Sequence, residues 1–151
     1  MSFNDNNNIT EFRGEYRFLS NFHIHPIVYK GILYPSSEHA YVSMKSNDPR
    51  IKIQISQERS PGKVKKLGRG VDIASDWLDI RLNVMEEILR IKFSDTELKN
   101  RLLSTGNRLI YEGNWWKDTF WGVDIETGFG QNNLGKLLMK IRDEMKYNSI
   151  L

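Results

Sequence analysis

The sequence of 151 residues contains no cysteine, and this absence removes several kinds of chemistry at once. A disulfide framework, a thiolate nucleophile, a zinc finger and iron–sulfur ligation all require that side chain. Long apolar runs are also absent: no strictly apolar stretch exceeds three residues, so we expect no membrane-spanning segment. Residues 1–12 begin with an asparagine-rich stretch, which predicts a loose N-terminal segment and not a secretory signal. The cytoplasm is therefore the simplest expected compartment.

The chain also lacks a large net charge: 22 Lys and Arg residues and 19 Asp and Glu residues give a net charge of +3. This balance is compatible with an anionic ligand but is weak for a protein that coats DNA. Hydrophobic residues make up 39% of the chain and aromatic residues 11%, which is typical of a soluble globular protein. The length suits one core, so we expect residues 13–151 to form a single domain.

Extended segments are predicted mainly in the first third of the chain. Glu15–Phe22, Pro26–Tyr29 and Ile32–Tyr34 favour extended backbone, and Lys30-Gly31 is typical of a hairpin turn. Arg108–Glu112 predicts one further short strand.

Helices are predicted over most of the remaining chain. Ser36 and Ser37 can cap a helix that runs to about Asn47. The other predicted helices are Pro49–Gln57, one from Ser60-Pro61 to Gly68 or Gly70, Asp76–Phe93, Thr96–Ser104 and Leu134–Lys146. Residues 113–133 are glycine-rich and predict a long ordered loop. The expected fold is a compact α+β domain, predominantly helical, with a few short strands.

Two short motifs suggest ligands. Gly130 and the residues that follow have P-loop spacing, but Leu137 stands where Ser or Thr would hold magnesium, so we reject an NTPase. A helix N-terminus there can still attract phosphate, and an ordinary glycine-rich turn explains the pattern equally well. His23 and His25 can share one strand face, but nothing in the sequence joins His39 to them, so no metal site is predicted.

A basic cluster surrounds Gly62 and Gly68. It consists of Arg59, Lys63, Lys65, Lys66 and Arg69. A solvated helix face and a phosphate-binding surface explain such a cluster equally well.

The predicted helix after Ser36 carries Glu38 and Lys45 on one face, together with Tyr41 or Val42. Two helical turns separate Glu38 from Lys45, roughly 10 Å along the axis. Such a pair can flank a ligand, although a surface Glu and a surface Lys are the commoner outcome.

Residues 112–122 mix aromatic side chains with carboxylates, which a binding pocket needs and a core avoids. They include Glu112, Trp115, Trp116, Asp118, Phe120 and Trp121. Aromatic faces stack bases, and carboxylates stabilise a developing cation or activate water. The alternative is that the aromatic side chains anchor a long loop to the core.

The order and spacing of several stretches together resemble the NADAR family, also called YbiA-like N-glycosidases. The resemblance extends from about Phe18 to Arg142. It is carried by Phe18–Phe22, Tyr34–Tyr41 with Lys45, Gly68-Arg69, Trp77 with Arg81, Met85 with Lys92-Phe93, Leu103 with Thr105-Gly106, Glu112, Asp118 with Trp121-Gly122, and Asn133 with Gly135, Leu138-Met139 and Arg142.

The resemblance implies a compact, mainly helical α+β fold and an enzyme that cleaves an N-glycosidic bond between ribose and a base or amine, without a cofactor. One branch of the family hydrolyses phosphorylated ribosylamino-pyrimidine intermediates of riboflavin biosynthesis. Another removes ADP-ribose from modified guanine in DNA or RNA. The residues Gly113–Lys117 depart from the linker of the riboflavin branch, so the resemblance leaves the substrate open.

The resemblance also implies roles for individual residues. Glu38, Lys45, Glu112 and Asp118 match catalytic positions, and Asn21, Arg69, Trp77, Trp121 and Gly122 match substrate-binding positions. In glycoside hydrolysis two carboxyl groups divide acid–base work and stabilisation of an oxocarbenium-like state. Glu112 or Asp118 would stabilise the cation and orient water, and Glu38 would bind ribose hydroxyls or act as the other acid–base group.

The role of Lys45 has two alternatives: binding phosphate or ribose, or attacking C1′ to form a Schiff base if burial lowers its pKa. Trp77 and Trp121 would stack on the substrate, and Arg69 and Lys66 would meet its phosphates. Two competing hypotheses are a non-catalytic module that binds ADP-ribose or a nucleotide, and a small nucleic-acid-binding protein.

Overall fold

The computed structural model describes residues 3–150 of the chain and confirms an α+β fold that is about half helical. Six α-helices and four short strands lie within the described residues. None of these helices is long and apolar enough to cross a membrane. The residues form two compact units, one of Asn21–Asp95 and the other of the described parts of Met1–Ser20 and Thr96–Leu151.

The unit of Asn21–Asp95 begins with an antiparallel hairpin of β1, Ile24–Tyr29, and β2, Ile32–Ser36. Lys30 and Gly31 connect the strands with φ values of 49° and 83°, as a two-residue hairpin turn requires. The predicted turn is thereby confirmed, and β2 leads directly to Ser36 at the start of the first helix.

Four helices follow in this unit: α1, Ser37–Ser43; α2, Pro49–Gln57; α3, Pro61–Gly68; and α4, Trp77–Lys92. The side chains of Ser36, Asp48 and Ser60 each accept a hydrogen bond from a first-turn N–H group, which explains why α1, α2 and α3 begin where they do. The prediction that the first helix runs to Asn47 is wrong, because α1 ends at Ser43. Met44 and Lys45 follow as a tighter turn, with Lys45 N donating to Val42 O at 3.0 Å.

Helix α1 is central to this unit and packs against α2, α3, α4 and both strands. Its Ala40 and Val42 are almost fully buried, as are Ile55 of α2, Val64 of α3 and Met85 of α4. Burial of the larger of these side chains, those of Val, Ile and Met, stabilises the fold by about 1.5–3 kcal/mol each. This packing fixes the position of both ends of α1.

The other unit starts with N-terminal residues that are packed, which corrects the expectation of a loose segment over residues 1–12. Ile9 is 1% exposed and forms a parallel bridge with Ile110. Thr10 O accepts a hydrogen bond from Gly113 N at 3.0 Å. Part of the predicted Arg108–Glu112 strand therefore pairs with the N-terminal segment.

A 3₁₀ helix occupies Gly14–Leu19, where the sequence predicted extended backbone over Glu15–Phe22. Gly14 has φ 59°, and Tyr16 N donates to Arg13 O at 3.0 Å, so the chain turns at this point. Phe18 and Leu19 are both buried although they are adjacent, an arrangement that a strand with one buried face does not give.

This unit also contains α5, Thr96–Ser104, and α6, Asn133–Ile150, which pack together. The strands β3, Gly113–Asn114, and β4, Val123–Asp124, form a short parallel pair. Buried Arg142 of α6 donates from Nη1 to Arg108 O at 2.7 Å and to Thr105 Oγ1 at 3.1 Å. These contacts hold α6 against the segment that leads to Glu112.

Candidate active site

Asn21 holds the N-terminus of α1, the end that carries Glu38. Its backbone carbonyl accepts from Glu38 N at 3.0 Å, and its Oδ1 accepts from Ser37 Oγ at 2.9 Å. Its Nδ2 donates to Met85 Sδ at 3.6 Å. Glu38 is 9% exposed, so its carboxylate is held in a largely desolvated position.

Lys45 lies just beyond the other end of α1 and is half-buried. Its backbone carbonyl accepts from Ala74 N at 2.8 Å, which fixes the turn that carries it. A Cβ placed on Gly68 would be 3.6 Å from Lys45 Nζ, so the end of α3 lies beside the amine. Gly68 thus leaves the space in which the Lys45 side chain sits.

Burial is the main cause that lowers the pKa of Lys45 from its ordinary value of 10.5. The cations of Arg69, Lys65 and Arg81 lower this pKa further, while the carboxylate of Glu38 raises it. A lysine in such surroundings is neutral at a lower pH than an exposed one and is a better nucleophile. The same group of cations attracts phosphate when Lys45 is protonated.

Trp77, the predicted stacking residue of α4, is 3% exposed. Its ring lies against that of Tyr41 in α1, with centroids 5.0 Å apart and planes tilted by 55°. The structure therefore gives Trp77 a direct packing role between α4 and α1.

In the other unit, Asn114 joins the two predicted carboxylate positions. Its Nδ2 donates to Glu112 Oε2 at 2.8 Å and to Asp118 O at 2.9 Å, and its Oδ1 accepts from Asp118 N at 3.0 Å. These bonds close a loop in which Trp115 and Trp116 are largely exposed. The Glu112 carboxylate and the Asp118 backbone are thereby held by one side chain.

The side chain of Asp118 organises the turn that follows it. Its Oδ1 accepts from Phe120 N at 3.1 Å and from Trp121 N at 2.9 Å, which leaves Oδ2 as the oxygen that the turn does not use. The Trp121 ring makes an edge contact with Phe120, at a centroid distance of 4.8 Å. Asp118 and Trp121 therefore belong to one rigid turn.

Gly122 makes room for the carboxylate of Glu112. A Cβ at Gly122 would overlap Glu112 Oε2 and would lie 2.7 Å from Asn114 Nδ2. Buried Asn132 supports the same segment, since its Oδ1 accepts from Glu112 N at 3.0 Å and its Nδ2 donates to Ile110 O at 2.9 Å.

The N-terminus of α6 is occupied, so the interpretation of the glycine-rich segment as a phosphate site is wrong. Asn133 N donates to Phe120 O at 3.2 Å, and Leu134 N donates to Trp121 O at 2.9 Å. These amide groups hold the aromatic turn. Within residues 3–150, no three His, Asp or Glu side chains gather as a metal site.

The structure brings together Asn21, Glu38, Lys45, Arg69 and Trp77 in one unit, and Glu112, Asp118, Trp121 and Gly122 in the other. The sequence analysis missed Asn114 and Asn132, because an asparagine within a loop carries no signal of which backbone groups it binds. It assigned no role to Arg81. The positive charge of Arg81 lowers the pKa of Lys45, and the packing of α4 against α1 brings the two residues near each other.

Similarity to known proteins extends over most of the chain. The model of the NADAR domain family matches residues 3–146. A riboflavin biosynthesis protein of Vibrio vulnificus is 38% identical over 132 residues, which cover 85% of this chain and 35% of that protein. The chain thus spans about a third of the length of this relative.

N-glycosidase YbiA of Escherichia coli is 33% identical over 134 residues, covering 87% of this chain and 82% of YbiA. The NMR structure of E. coli YbiA has a TM-score of 0.81 and 30% sequence identity, and the match covers 95% of this chain and 88% of that one. Since the family match includes nearly all described residues, the chain belongs to the NADAR domain family.

Proposed function

We propose that this chain is an N-glycosidase that hydrolyses the bond between ribose and a base or amine nitrogen in a phosphorylated substrate. The observation that carries the proposal is Lys45, a half-buried amine whose pKa is lowered by burial and by neighbouring cations. The names of relatives that cover most of the chain, among them N-glycosidase YbiA, support the same chemistry.

The proposed reaction begins when the neutral amine of Lys45 attacks C1′ of the ribose. The bond between C1′ and the base nitrogen breaks, and the base leaves with the bonding electron pair and receives a proton. The ribose ring then opens: the bond between C1′ and the ring oxygen breaks, and the ring oxygen takes up a proton. At the same time C1′ and the Lys45 nitrogen form a protonated imine. Water adds to this imine, releases the sugar and restores the amine.

The carboxylates supply the remaining steps of the proposal. Glu38, largely buried near the start of α1, binds ribose hydroxyls or transfers protons. Glu112 or Asp118 stabilises the cationic transition state and orients water, as paired carboxyl groups do in glycoside hydrolysis. In Asp118→Asn the amide oxygen can still accept the two backbone N–H bonds, so this variant removes the charge and keeps the turn.

The phosphate of the substrate is assigned to the cations near Lys45. Arg69 is exposed and Lys65 is half-buried, so both can receive a phosphate beside the sugar. A phosphorylated ribosylamino-pyrimidine intermediate of riboflavin biosynthesis and an ADP-ribosylated guanine in DNA or RNA both carry the required ribose–nitrogen bond and phosphate.

Product analysis by liquid chromatography and mass spectrometry tests the proposal. The native chain, Glu38→Gln, Glu112→Gln and Asp118→Asn would each be incubated with either substrate. Release of ribose 5-phosphate from the pyrimidine, or of ADP-ribose with restored guanine, would identify the branch. No product from either substrate, in a folded protein that binds ADP-ribose, would contradict the proposal and favour a non-catalytic binding module.

Borohydride trapping during turnover tests the role of Lys45 separately. We expect a covalent sugar adduct on Lys45 by peptide mass spectrometry and none in Lys45→Arg, which keeps the positive charge and lacks a nucleophilic amine. Because the neutral amine reacts, kcat/KM should rise with pH toward a midpoint below 10.5. Turnover without an adduct would contradict the covalent role of Lys45 and favour a role in binding phosphate.

A further inference from the structure

The hairpin of β1 and β2 has an exposed side that is apolar. Along β1 every second residue from the start of the strand is exposed, and these residues are Ile24, Pro26 and Val28. On β2 the exposed residue is Leu33, which pairs directly with Val28 across the hairpin. Ile24, Val28 and Leu33 are 55%, 60% and 60% exposed, respectively. We call Ile24, Pro26, Val28 and Leu33 the hairpin surface.

The opposite side of the hairpin is packed within the unit of Asn21–Asp95. Its side chains Ile27, Tyr29 and Tyr34 are 1%, 4% and 1% exposed. When one face of an antiparallel sheet is buried in this way, the other face normally carries polar side chains that contact water. The hairpin surface carries apolar side chains at these outward positions, so covering it with another apolar surface would be favourable.

The hairpin surface is uncharged, and this limits what can cover it. Residues 24–36 contain no Asp or Glu and a single Lys, which is Lys30 in the turn. Its Nζ lies 5.5 Å from the ring centre of Tyr29, a residue of the buried side, so the cation is drawn away from the hairpin surface. A charged partner or an anionic membrane finds no opposite charge among these outward side chains. A second copy of the same uncharged surface is complementary to it, because no like charges then meet.

The edges of the hairpin are poorly suited to pairing with another strand. Pro26 in β1 and Pro35 in β2 each lack the backbone N–H group that contributes to a strand ladder. A strand added at either edge would therefore pair incompletely. Two sheets that pack face to face need only complementary side chains and lie about 10 Å apart. Association through the face of the hairpin is thus favoured over association through its edges.

The area of the hairpin surface suits a dimer of modest affinity. Four apolar side chains with these exposures present roughly 300–400 Å², within the range of apolar patches that mark interaction sites. The smallest specific interfaces bury about 600 Å² on each partner, and about 57% of that area, roughly 340 Å², is apolar. The hairpin surface therefore supplies the apolar part of such an interface.

We propose that two copies of this chain associate through their hairpin surfaces around a two-fold axis, so that Val28 and Leu33 of each copy pack against those of the other. The contact is isologous, since both copies use the same patch. This inference goes beyond the proposed N-glycosidase function, because none of the four residues belongs to the candidate active site. An interface of this size gives a dissociation constant in the micromolar range.

Sedimentation velocity of the native chain between about 2 and 200 µM tests the proposal. The variants Leu33→Lys and Leu33→Glu each place like charges at the two-fold contact, so each should self-associate at least tenfold more weakly. An equimolar mixture of the two variants should form dimers again, because opposite charges then meet. Leu78→Lys and Leu78→Glu, at a leucine of α4 that is 71% exposed, are the matched controls and should keep the native dissociation constant. Urea unfolding should give the native midpoint for all four variants, since both positions are exposed.

The outcomes separate a second copy from other occupants of the surface. Dimers of the native chain, monomers of each Leu33 variant and dimers of their mixture would support the proposal. Native dimers that both Leu33 variants retain would overturn it, since the contact would then lie elsewhere. A native chain that stays monomeric at 200 µM would also overturn it, and flotation of that monomer with phosphatidylcholine vesicles would assign the hairpin surface to a lipid bilayer. No turnover is measured, so failure of the proposed function would leave each of these results unchanged.

Discussion

At the scale of single residues, Asn114 determines the geometry of the segment that carries Glu112 and Asp118. It is 1% exposed, and its three shortest side-chain hydrogen bonds are two donated by Nδ2, to Glu112 Oε2 and Asp118 O, and one accepted by Oδ1 from Asp118 N. Aspartate has no donor, and serine is too short to reach all three partners. Asparagine is therefore the side chain that satisfies the Glu112 carboxylate and the Asp118 backbone together.

We expect Asn114→Ala to lower both stability and activity. The substitution leaves buried polar groups of Asp118 without partners, which costs about 1–3 kcal/mol of the free energy of unfolding. If Glu112 acts in the chemical step, kcat should fall by about 100-fold, since small displacements of catalytic groups have effects of this size. Urea unfolding and steady-state kinetics measure the two effects.

Asn100→Ala, at an exposed position of α5, is the matched control and should change stability by less than about 0.5 kcal/mol. If Asn114→Ala unfolds earlier but keeps its kcat, Asn114 is a structural residue and Glu112 does not act in the chemical step.

At the scale of elements, α1 and α3 approach closely because position 68 has no side chain. A Cβ on Gly68 would lie 2.7 Å from Val42 Cγ1. Lys45 follows α1 and Arg69 follows α3, so this approach also sets how close the Arg69 guanidinium, which lowers the pKa of Lys45, comes to the Lys45 amine. The helix contact thus links packing to the chemistry at Lys45.

Gly68→Ala should destabilise the protein by about 1–3 kcal/mol through overpacking. In the double variant Gly68→Ala/Val42→Ala the added methyl occupies space that Val42 vacates, so its destabilisation should be smaller than the sum of the single effects by about 1 kcal/mol. Gly62→Ala, whose added Cβ would meet nothing closer than 3.7 Å, is the control. Additive losses in urea unfolding would show that the two positions do not share this contact.

His39 connects the end of α2 to the start of α1. Its Nε2 donates to Glu58 O at 2.6 Å, which leaves Nδ1 to accept from Ser36 Oγ at 2.6 Å. Burial is the main cause that lowers the pKa of His39 below 6.5, although the hydrogen bond to Glu58 and the Glu58 carboxylate partly offset it. The neutral ring is therefore the form that joins the two helices.

Because the pKa of His39 is lower in the folded state, the unfolded chain binds a proton first as the pH falls. The stability contributed by neutral His39 is complete above about pH 6.5 and is lost as the pH falls toward the folded-state pKa. His39→Gln should therefore lose less stability between pH 7.5 and 5.5 than the native chain does. Urea unfolding at both pH values measures this difference, and equal losses in the two proteins would contradict the argument.

How much of the fold can be predicted from the sequence differs from element to element. The start of α2 follows from Asp48 and Pro49, and the start of α3 follows from Ser60 and Pro61, because caps and proline act locally. The two-residue strands β3 and β4 are too short to show an alternating pattern and exist only through their pairing with each other, so no local periodicity reveals them. The alternating pattern of residues 15–18 favours a strand. The structure has a 3₁₀ helix there instead, because the chain turns at Gly14.

The candidate site, like the fold, can be predicted from the sequence only in part. Chemistry-bearing residues such as Lys45 and Glu38 are recognisable from their types and spacing. The cations that surround Lys45 come from α3 and α4, and the contacts of Asn114 depend on a closed loop, so both require the folded chain. The roles of Glu112 and Asp118 in catalysis and of Trp121 in substrate binding stay predictions.

At the scale of the whole molecule, the described parts of the N-terminal twenty residues and of Thr96–Leu151 fold together into one unit. Ile9 N donates to Leu109 O at 2.9 Å, and Tyr111 N donates to Ile9 O at 2.7 Å, so a pairing across about a hundred residues fixes the segment before Glu112. Contacts of this sequence separation form late and at a high entropic cost. The position of Glu112 therefore depends on a residue at the opposite end of the chain.

Ile9→Ala tests this dependence. Ile9 is 1% exposed, and truncation of a buried isoleucine to alanine costs about 2–5 kcal/mol. The control Ile73→Ala, at a side chain that is 57% exposed, should stay within about 0.5 kcal/mol of the native stability. Under conditions where the variant remains folded, kcat should also fall if Glu112 is catalytic, because the segment before it loses its buried partner. A native unfolding midpoint in Ile9→Ala would show that the N-terminal segment contributes little, and that the segment before Glu112 is held by α6 and Asn132 alone.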